Sequence, residues 1–542
     1  MIRLTTLRQF APAFVLVMLF LAGLACARPG TEEIIYVTAT FPGGERVLSV
    51  SPTPDDPTDT PIAPTANPTR SVVAGGQGFS IETGSTYTVQ QGDTLAEIAQ
   101  AAGVPLADII AANNITNPNL VEVGQQLAIP QQEADPTPAE VAAAPRIGPD
   151  FKLVPDSEVV YSPTAADFDV ADYMKTKTGF LRAYSEEIGE DYVSGIELLA
   201  EVAQNYSVNP RVLLALLEYR GGWLNAPTVS ESAAAYPMGL LNINRAGLYD
   251  QLLDTANALN FGYYGWKYRG INTITFADGR TIEMAPSLNP GTAAVQYFLS
   301  RDNTVEQWLI DVSAEGFFQQ YLSLFGDPFL GAYEPLIPAN LRQPELALPF
   351  PQDEIWFYTG GPHGGYNNGS AWASIDFAPP APPDELIARQ GFCYVSPFVV
   401  TAVAPGVIAR AAGGFVILDL DMDGNEYTGW TIVYLHIADN EAMVEAGTVV
   451  ETGDTIGNPS CEGGFSSATH LHFGRRYNGE WMPIDCFDCP PETPFAPMVL
   501  GDWRVGGFEN AEYQGFMEGP GDEFRRANQG RIDPINQISW LR

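Results

Sequence analysis

The stretch Thr469-His470-Leu471-His472-Phe473 is the tightest constraint in this chain. Its 542 residues hold four histidines, and two of them stand here one residue apart. On an extended strand, alternate side chains share a face. His470 and His472 therefore aim at one spot, with Leu471 turned to the opposite side. Thr469, Leu471 and Phe473 suit a strand. A solvated strand face can carry the same pattern. The other two histidines, His363 and His436, lie in the same C-terminal third, which favours one shared site.

Charge excludes several partners. Lys and Arg number 27 against 65 Asp and Glu, a formal net charge of −38. Such a chain repels nucleic acid and anionic headgroups. It also cannot be held on an anionic cell wall by charge, so retention there needs another device. At the N-terminus, Arg3 and Arg8 precede an apolar run from Ala13 to Ala25, which reads as a secretory signal and is short for a membrane span. Ending in Ala25-Cys26, residues 1–25 resemble a bacterial lipoprotein signal peptide, although Gly23 stands where that family usually has Leu. The resemblance implies lipidation of Cys26 and membrane contact through a lipid anchor. Plain secretion and an uncleaved anchor stay open. In an exported chain, Cys393, Cys461, Cys486 and Cys489 read as disulfides. Three pairings are open, and Cys486-Phe487-Asp488-Cys489 has no second C-x-x-C with which to build a zinc site.

The remaining segments alternate between linkers and compact blocks. Residues 26–85 are rich in Pro, Thr and Asp, as in Ser51-Pro52-Thr53-Pro54-Asp55, and read as a disordered spacer. Residues 86–131 are patterned: a strand at Tyr87-Thr88-Val89, a helix presenting Leu95, Ile98, Ala99 and Ala102, a second helix from Leu106 to Asn113, and a strand at Gln126–Ile129. Tyr87-Thr88-Val89-Gln90-Gln91-Gly92-Asp93-Thr94-Leu95, Asn113-Asn114-Ile115 and Gly124-Gln125-Gln126-Leu127 resemble the LysM module. That implies a β-α-α-β fold binding N-acetylglucosamine glycans, with Gly92, Asp93, Thr94, Asn114 and Ile115 on the sugar. Asp93 and Thr94 also suit a helix cap, which is compatible with binding.

After a linker at 132–150, residues 151–345 read as mostly α. Pro210-Arg211-Val212-Leu213-Leu214-Ala215-Leu216-Leu217-Glu218 and Gly239-Leu240-Leu241-Asn242-Ile243 resemble the lysozyme-like lytic transglycosylases. The likeness places Glu218 as an acid catalyst. Tyr219 and Asn242 depart from that pattern, and a glycan-binding or spacing domain is the alternative.

Residues 346–542 read as mostly β, with strands at Val399–Ile408, Phe415–Leu418 and Trp430–His436. Asp423-Gly424 marks a hairpin turn between the last two. Asp419-x-Asp421-x-Asp423-Gly424 imitates the start of a calcium loop, but Trp430 occupies the twelfth position. Four pieces resemble the LytM/lysostaphin-type zinc endopeptidases: His363 to Asp376, Ala402-Val403-Ala404-Pro405-Gly406-Val407, Tyr434-Leu435-His436 and Ser466–Phe473. The resemblance implies zinc on His363, Asp376 and His472, with His436 and His470 as the catalytic pair and peptidoglycan peptide as substrate. Three protein ligands and one open position are what a catalytic zinc needs. The interval between His363 and Asp376 is longer than the usual motif. The fold expected is therefore multidomain: a small LysM module, a mostly α lysozyme-like domain and a mostly β zinc peptidase domain. A non-catalytic wall-binding lipoprotein is the rival from another class.

The LysM resemblance makes a direct prediction. A fragment covering Ser85–Gln131 should pellet with purified peptidoglycan or chitin, and should do so at high salt, because long-range charge is not the source of affinity. A fragment that stays in the supernatant while the deleted chain still pellets contradicts it.

Overall fold

A computed structural model describes residues 84–130 except 91–94, 103, 105, 114 and 116–123, and residues 147–540 except 190, 488, 490–492 and 533. Cys26, Gly92, Asp93, Thr94 and Asn114, with residues 27–83 and 131–146, fall outside the described residues.

The first block runs β1 (Thr86–Thr88), α1 (Leu95–Ala102), α2 (Leu106–Ala112), β2 (Gln126–Ala128). The two strands pair antiparallel, with Tyr87 opposite Leu127. Leu95, Ile98, Ala99, Val104 and Ile109 close over them with Val89 and Ile129 in a small core. Asn113 ties the second helix to the sheet. Its Nδ2 donates to Ile109 O (2.8 Å) and Ala128 O (2.7 Å), and its Oδ1 accepts from Ala128 N (2.6 Å). Ile115 is half-buried against this core.

The helical region contains α3 (Val170–Met174), a hairpin of β3 (Ser185–Ile188) and β4 (Asp191–Ser194), α4 (Gly195–Tyr206), α5 (Pro210–Gly221), α6 (Glu231–Ala235), α7 (Leu248–Tyr268), a hairpin of β5 (Thr273–Thr275) and β6 (Thr281–Glu283), α8 (Pro290–Ser300), α9 (Val305–Asp311) and α10 (Phe317–Phe325). Local chemistry sets the ends. Ser194 and Glu197 form a reciprocal capping box at the start of α4. Pro210 opens α5 behind an Asn209 cap, and Gly222, at φ 68°, ends it. The long α7 lies against α8 with Gly262 at the crossing. A Cβ there would come within 2.8 Å of Ala294 Cα, so only glycine allows the approach.

The β region comprises β7 (Trp356–His363), β8 (Ser374–Ala378), α11 (Asp384–Gln390), β9 (Val400–Thr401), β10 (Gly406–Ala412), β11 (Phe415–Asp419), β12 (Trp430–Leu435), β13 (Val449–Val450), β14 (Thr455–Gly457), β15 (Leu471–Tyr477), β16 (Glu480–Trp481), β17 (Val499–Leu500), β18 (Trp503–Gly507), β19 (Gly515–Glu518), β20 (Phe524–Arg526) and β21 (Gln537–Ile538). Among the described residues its main sheet has the order β13-β10-β11-β12-β15-β8-β7-β21, with β16 beside β15. The strands β17-β18-β19-β20 form a second sheet. The strand expected across Val399–Ile408 is interrupted at Ala402–Pro405. Pro405 has no N–H to give, Ala402 N bonds Asp454 O, and Val403 N bonds the Tyr434 hydroxyl (2.9 Å). The cysteines pair as Cys393–Cys461 and Cys486–Cys489.

The main sheet is buried on both faces. On one, Ile375, Phe377, Val416, Leu418, Ile432, Tyr434, Leu471 and Phe473 pack with Leu348, Phe350 and Trp503 of the β region itself. On the other, Phe415, Ile417, Val433, Leu435 and Trp481 join a single core with Leu199, Tyr206, Tyr263 and Tyr264 of the helical region. A polar clasp sits within this contact. Glu480, fully buried, accepts from Lys267 Nζ (2.6 Å), Tyr268 Oη (2.6 Å) and Tyr263 Oη (3.1 Å).

Removing one partner of a buried ion pair leaves an uncompensated charge and costs about 3–5 kcal/mol. Lys267→Met is therefore expected to lower the thermal midpoint strongly, with far-UV ellipticity and tryptophan fluorescence still changing together. Separate transitions, or an unmoved midpoint, would show that the two regions do not share this core energetically.

Candidate metal centre

Strand register builds the site. β8 and β15 pair so that Asp376 lies directly opposite His472. β7 and β8 form a hairpin in which His363 stands opposite Ser374. The long interval between His363 and Asp376 is thus a hairpin loop, residues 364–373, whose two ends meet. His363 Nε2 lies 2.8 Å from Asp376 Oδ2, and His472 Nδ1 lies 3.2 Å from Asp376 Oδ1. One ligand atom from each of the three falls within 4.8 Å of the others. His470 Nε2 sits 3.5 Å from Asp376 Oδ1. His436 follows β12 in a left-handed conformation, φ 66°, which turns its ring to within 4.5 Å of His470, centroid to centroid. All four histidines and Asp376 converge.

Backbone carbonyls fix three of the imidazoles. His472 Nε2–H donates to Gly365 O (2.8 Å), so Nδ1 carries a lone pair. His436 Nδ1–H donates to Glu462 O (2.8 Å), leaving its Nε2 with a lone pair, and His470 Nδ1–H donates to Ala468 O (2.8 Å), turning its Nε2 toward Asp376. The result at Asp376 is diagnostic. The His472 Nδ1 lone pair faces Asp376 Oδ1, which is buried with no hydrogen-bond donor. Two acceptors held face to face in a dry site are repulsive unless a cation lies between them. Imidazole nitrogen and carboxylate oxygen are suitable donors for zinc. The residues fit such an ion.

The electrostatics agree. Burial opposes the Asp376 carboxylate, but His363 and His470 outweigh it and hold its pKa well below the ordinary value. Burial, reinforced by His470 and His472, pushes His436 well below 6.5, so it is neutral at pH 7. Burial also disfavours charge on His470, yet Asp376 raises it above the ordinary value.

Other residues at this site have no local sequence signature. The Tyr513 ring stands edge-on to His363 at 4.4 Å, delivered by the loop between β18 and β19. Gly365, whose carbonyl orients His472, packs so closely on Trp481 that a Cβ would lie 2.2 Å from the indole. The loop bearing it is clamped by the helical region. Asn367 Nδ2 donates to Tyr206 Oη (2.9 Å), and Gly369 N donates to Asn257 Oδ1 (2.8 Å).

Glu218 lies apart from this cluster in its contacts. Its two oxygens accept from Leu224 N (2.6 Å) and Asn225 Nδ2 (2.7 Å), tying down the turn after α5. Tyr219, which follows it, donates to Asp311 (2.7 Å). Asp419, Asp421 and Asp423 also converge, within 4.8 Å. Asp419 accepts from Asp421 N (3.0 Å) and Gly424 N (2.8 Å), bonds that belong to the β11–β12 hairpin turn. Burial and neighbouring Asp421 push Asp419 up to about 7.

The chain is similar to known proteins in its LysM block and its helical region. The family described as "LasA, N-terminal domain" matches residues 152–340, and the LysM domain family matches residues 87–130. Protease LasA of Pseudomonas aeruginosa is 27% identical over 349 residues, covering 61% of this chain and 74% of that protein. The chain has a LysM domain and is homologous to protease LasA. Two solved structures are also similar. The deep-sea M23 metalloprotease pseudoalterin is 23% identical, covering 35% of this chain and 97% of that one, with a TM-score of 0.26. The catalytic domain of lysostaphin from Staphylococcus simulans is 25% identical, covering 24% and 89%, with a TM-score of 0.17. The helical region, for which a lysozyme-like domain was expected, has its family match in the LasA N-terminal domain.

The Glu218 contacts generate a test. Hydrogen bonds to a charged group are worth about 1.5–3 kcal/mol, and half-exposure reduces that. Glu218→Gln is expected to lower stability by about 1 kcal/mol while leaving hydrolysis of a cross-linked wall peptide unchanged. Loss of glycan-strand fragments released by the wild type would instead make Glu218 an acid catalyst.

Proposed function

We propose that this protein is an exported zinc endopeptidase that hydrolyses peptide bonds in peptidoglycan stems or cross-bridges and is retained on the wall by its LysM module. The observation that carries the reading is the meeting of His363 Nε2, Asp376 and His472 Nδ1 on one point, with the His436 and His470 rings alongside. Homology to LasA and the LysM match support the same activity.

His363, Asp376 and His472 would hold the metal. Bound there, zinc would lower the pKa of a water and polarise the scissile carbonyl. His436 is neutral and its tautomer leaves Nε2 able to accept a proton and return it to the leaving amine. His470 is biased toward its charged form, which suits it to stabilise negative charge as it develops on the carbonyl oxygen. Tyr434, between the motifs, serves the scaffold: its hydroxyl accepts from Val403 N.

The LysM module supplies what the net charge withholds. Gly92, Asp93, Thr94, Asn114 and Ile115 would contact N-acetylglucosamine, mostly through backbone groups, and such contacts do not depend on charge. Lipidation at Cys26 would add a membrane tether, with the Pro/Thr-rich segment giving reach. The contacts of Glu218 support a structural part for the helical region rather than glycan cleavage.

The five residues at the centre are expected to separate into two classes. His363→Ala, Asp376→Ala and His472→Ala should lose zinc and activity together. His436→Ala and His470→Ala should keep near-stoichiometric zinc and lose about 10²–10⁴-fold in turnover. Elemental analysis beside hydrolysis of a cross-linked peptide decides. Unchanged zinc in all three ligand variants would remove the metal site and leave a non-catalytic wall-binding protein.

A further inference from the structure

One imidazole at the site lacks the support that the other three have. His363 is 2% exposed, and its Nδ1 is buried with no hydrogen-bond partner. Without metal, Nε2–H can donate to Asp376 and leave Nδ1 bare. Once Nε2 ligates a cation, the proton must sit on Nδ1, where a buried N–H without an acceptor is costly. Metal-bound histidines almost always give that second N–H to a carboxylate or carbonyl.

The loop between β18 and β19 brings a carboxylate to this place. Tyr513 N donates to Pro362 O (2.9 Å), and Gly361 N donates to Tyr513 O (3.3 Å), which seats the loop along the end of β7. Glu512, one residue earlier, accepts from Gly364 N (3.2 Å), the amide that follows His363. The cations that act on the Glu512 carboxylate are Arg269 and His363. Arg269 comes from the helical region, just beyond α7. Its Nε and Nη2 are buried without hydrogen-bond partners, and its guanidinium lies 5.1 Å from the Phe261 ring centre. Arg269 and His363 thus each carry buried nitrogens without a partner, and Glu512 is a carboxylate that feels the charge of both.

We infer that Glu512 is the outer-sphere acceptor for the His363 Nδ1–H in the metal-bound protein, and that Arg269 is the counter-charge that holds Glu512 in place. This deepens the zinc reading above and rests on it. It makes Glu512 a positioning residue, acting through His363. It also gives the helical region a role in the metal site: one of its side chains tunes the affinity of a centre built by the β region.

The test is Zn²⁺ affinity of the full chain, measured by competition with a chromophoric chelator, with the visible spectrum of the Co²⁺-substituted protein as a second readout. Glu512→Ala is expected to weaken zinc binding about 10–100-fold and to shift the Co²⁺ bands. Glu512→Gln, which keeps an acceptor oxygen, should recover part of the loss, and Arg269→Met should fall between wild type and Glu512→Ala. Wild-type affinity and spectrum in Glu512→Ala overturn the inference. If that variant does not fold without metal, wild-type values in both Glu512→Gln and Arg269→Met overturn it equally. A wild-type chain that binds no stoichiometric zinc overturns the metallopeptidase reading and this inference with it. Stoichiometric wild-type zinc with insensitive variants sinks only the assignment of Glu512.

Discussion

The structure turns on one carboxylate. Asp376 sits opposite His472 in an antiparallel ladder, between His363 on the adjoining strand and His470 at the start of β15. A buried anion of this kind is tolerable only when cations or donors surround it. Protonated histidine meets that need in part, but the His472 tautomer set by Gly365 leaves a lone pair pointing at the carboxylate. The backbone has thus arranged donor atoms for a positive ion before any ion is bound. That preorganisation comes from register, because sliding one strand by a residue would send Asp376 or His472 to the opposite face.

The sheet face that bears these groups is the face the helical region covers. Leu435, paired with His472 across the ladder, shares a core with Tyr206 and Tyr264. Tyr206, with Asn257 of α7, also grips the 364–373 loop, and that loop supplies the Gly365 carbonyl. Core packing and metal-site geometry are therefore coupled through a short path of direct contacts. A disturbance at α4 or α7 reaches His472 through two hydrogen bonds, without any need for a long-range conformational change.

What the sequence disclosed, and what it hid, follows from the range of the interactions. The His470/His472 pair was legible because period-two geometry is local. The β-α-α-β pattern of residues 86–131 was legible because each apolar face is read within one helix or strand. The interval from His363 to Asp376 looked stretched because a linear string does not show that a ten-residue loop closes on itself in a hairpin. Nothing local in the sequence shows that the helical region packs on the main sheet through Tyr206, Tyr263 and Tyr264. The motif around Glu218 pointed to an acid catalyst, and it gave no sign that the Glu218 oxygens accept from Leu224 N and Asn225 Nδ2. Tyr513, Glu512 and Arg269 carry no motif at all. Tyr513 and Glu512 come on one loop and Arg269 from a helix end, and no single-sequence periodicity records such a meeting.

Protons and metal compete for this centre, and the signs can be followed group by group. Asp376 is held below its ordinary 3.8, so its contribution to stability is present above that value and is lost as pH falls through the lower, folded-state pKa. His470 is raised above 6.5, so its contribution is present below 6.5 and is lost as pH rises through the folded-state pKa. Free of metal, the centre is thus best satisfied in mildly acid solution, where Asp376 is charged and His470 carries the compensating proton. A divalent ion delivers that positive charge without a proton, and its ligands must be deprotonated to receive it. On the function proposed above, loading the centre would therefore move its range of stability upward in pH, toward neutral conditions in which His436, held well below its ordinary pKa, is uncharged.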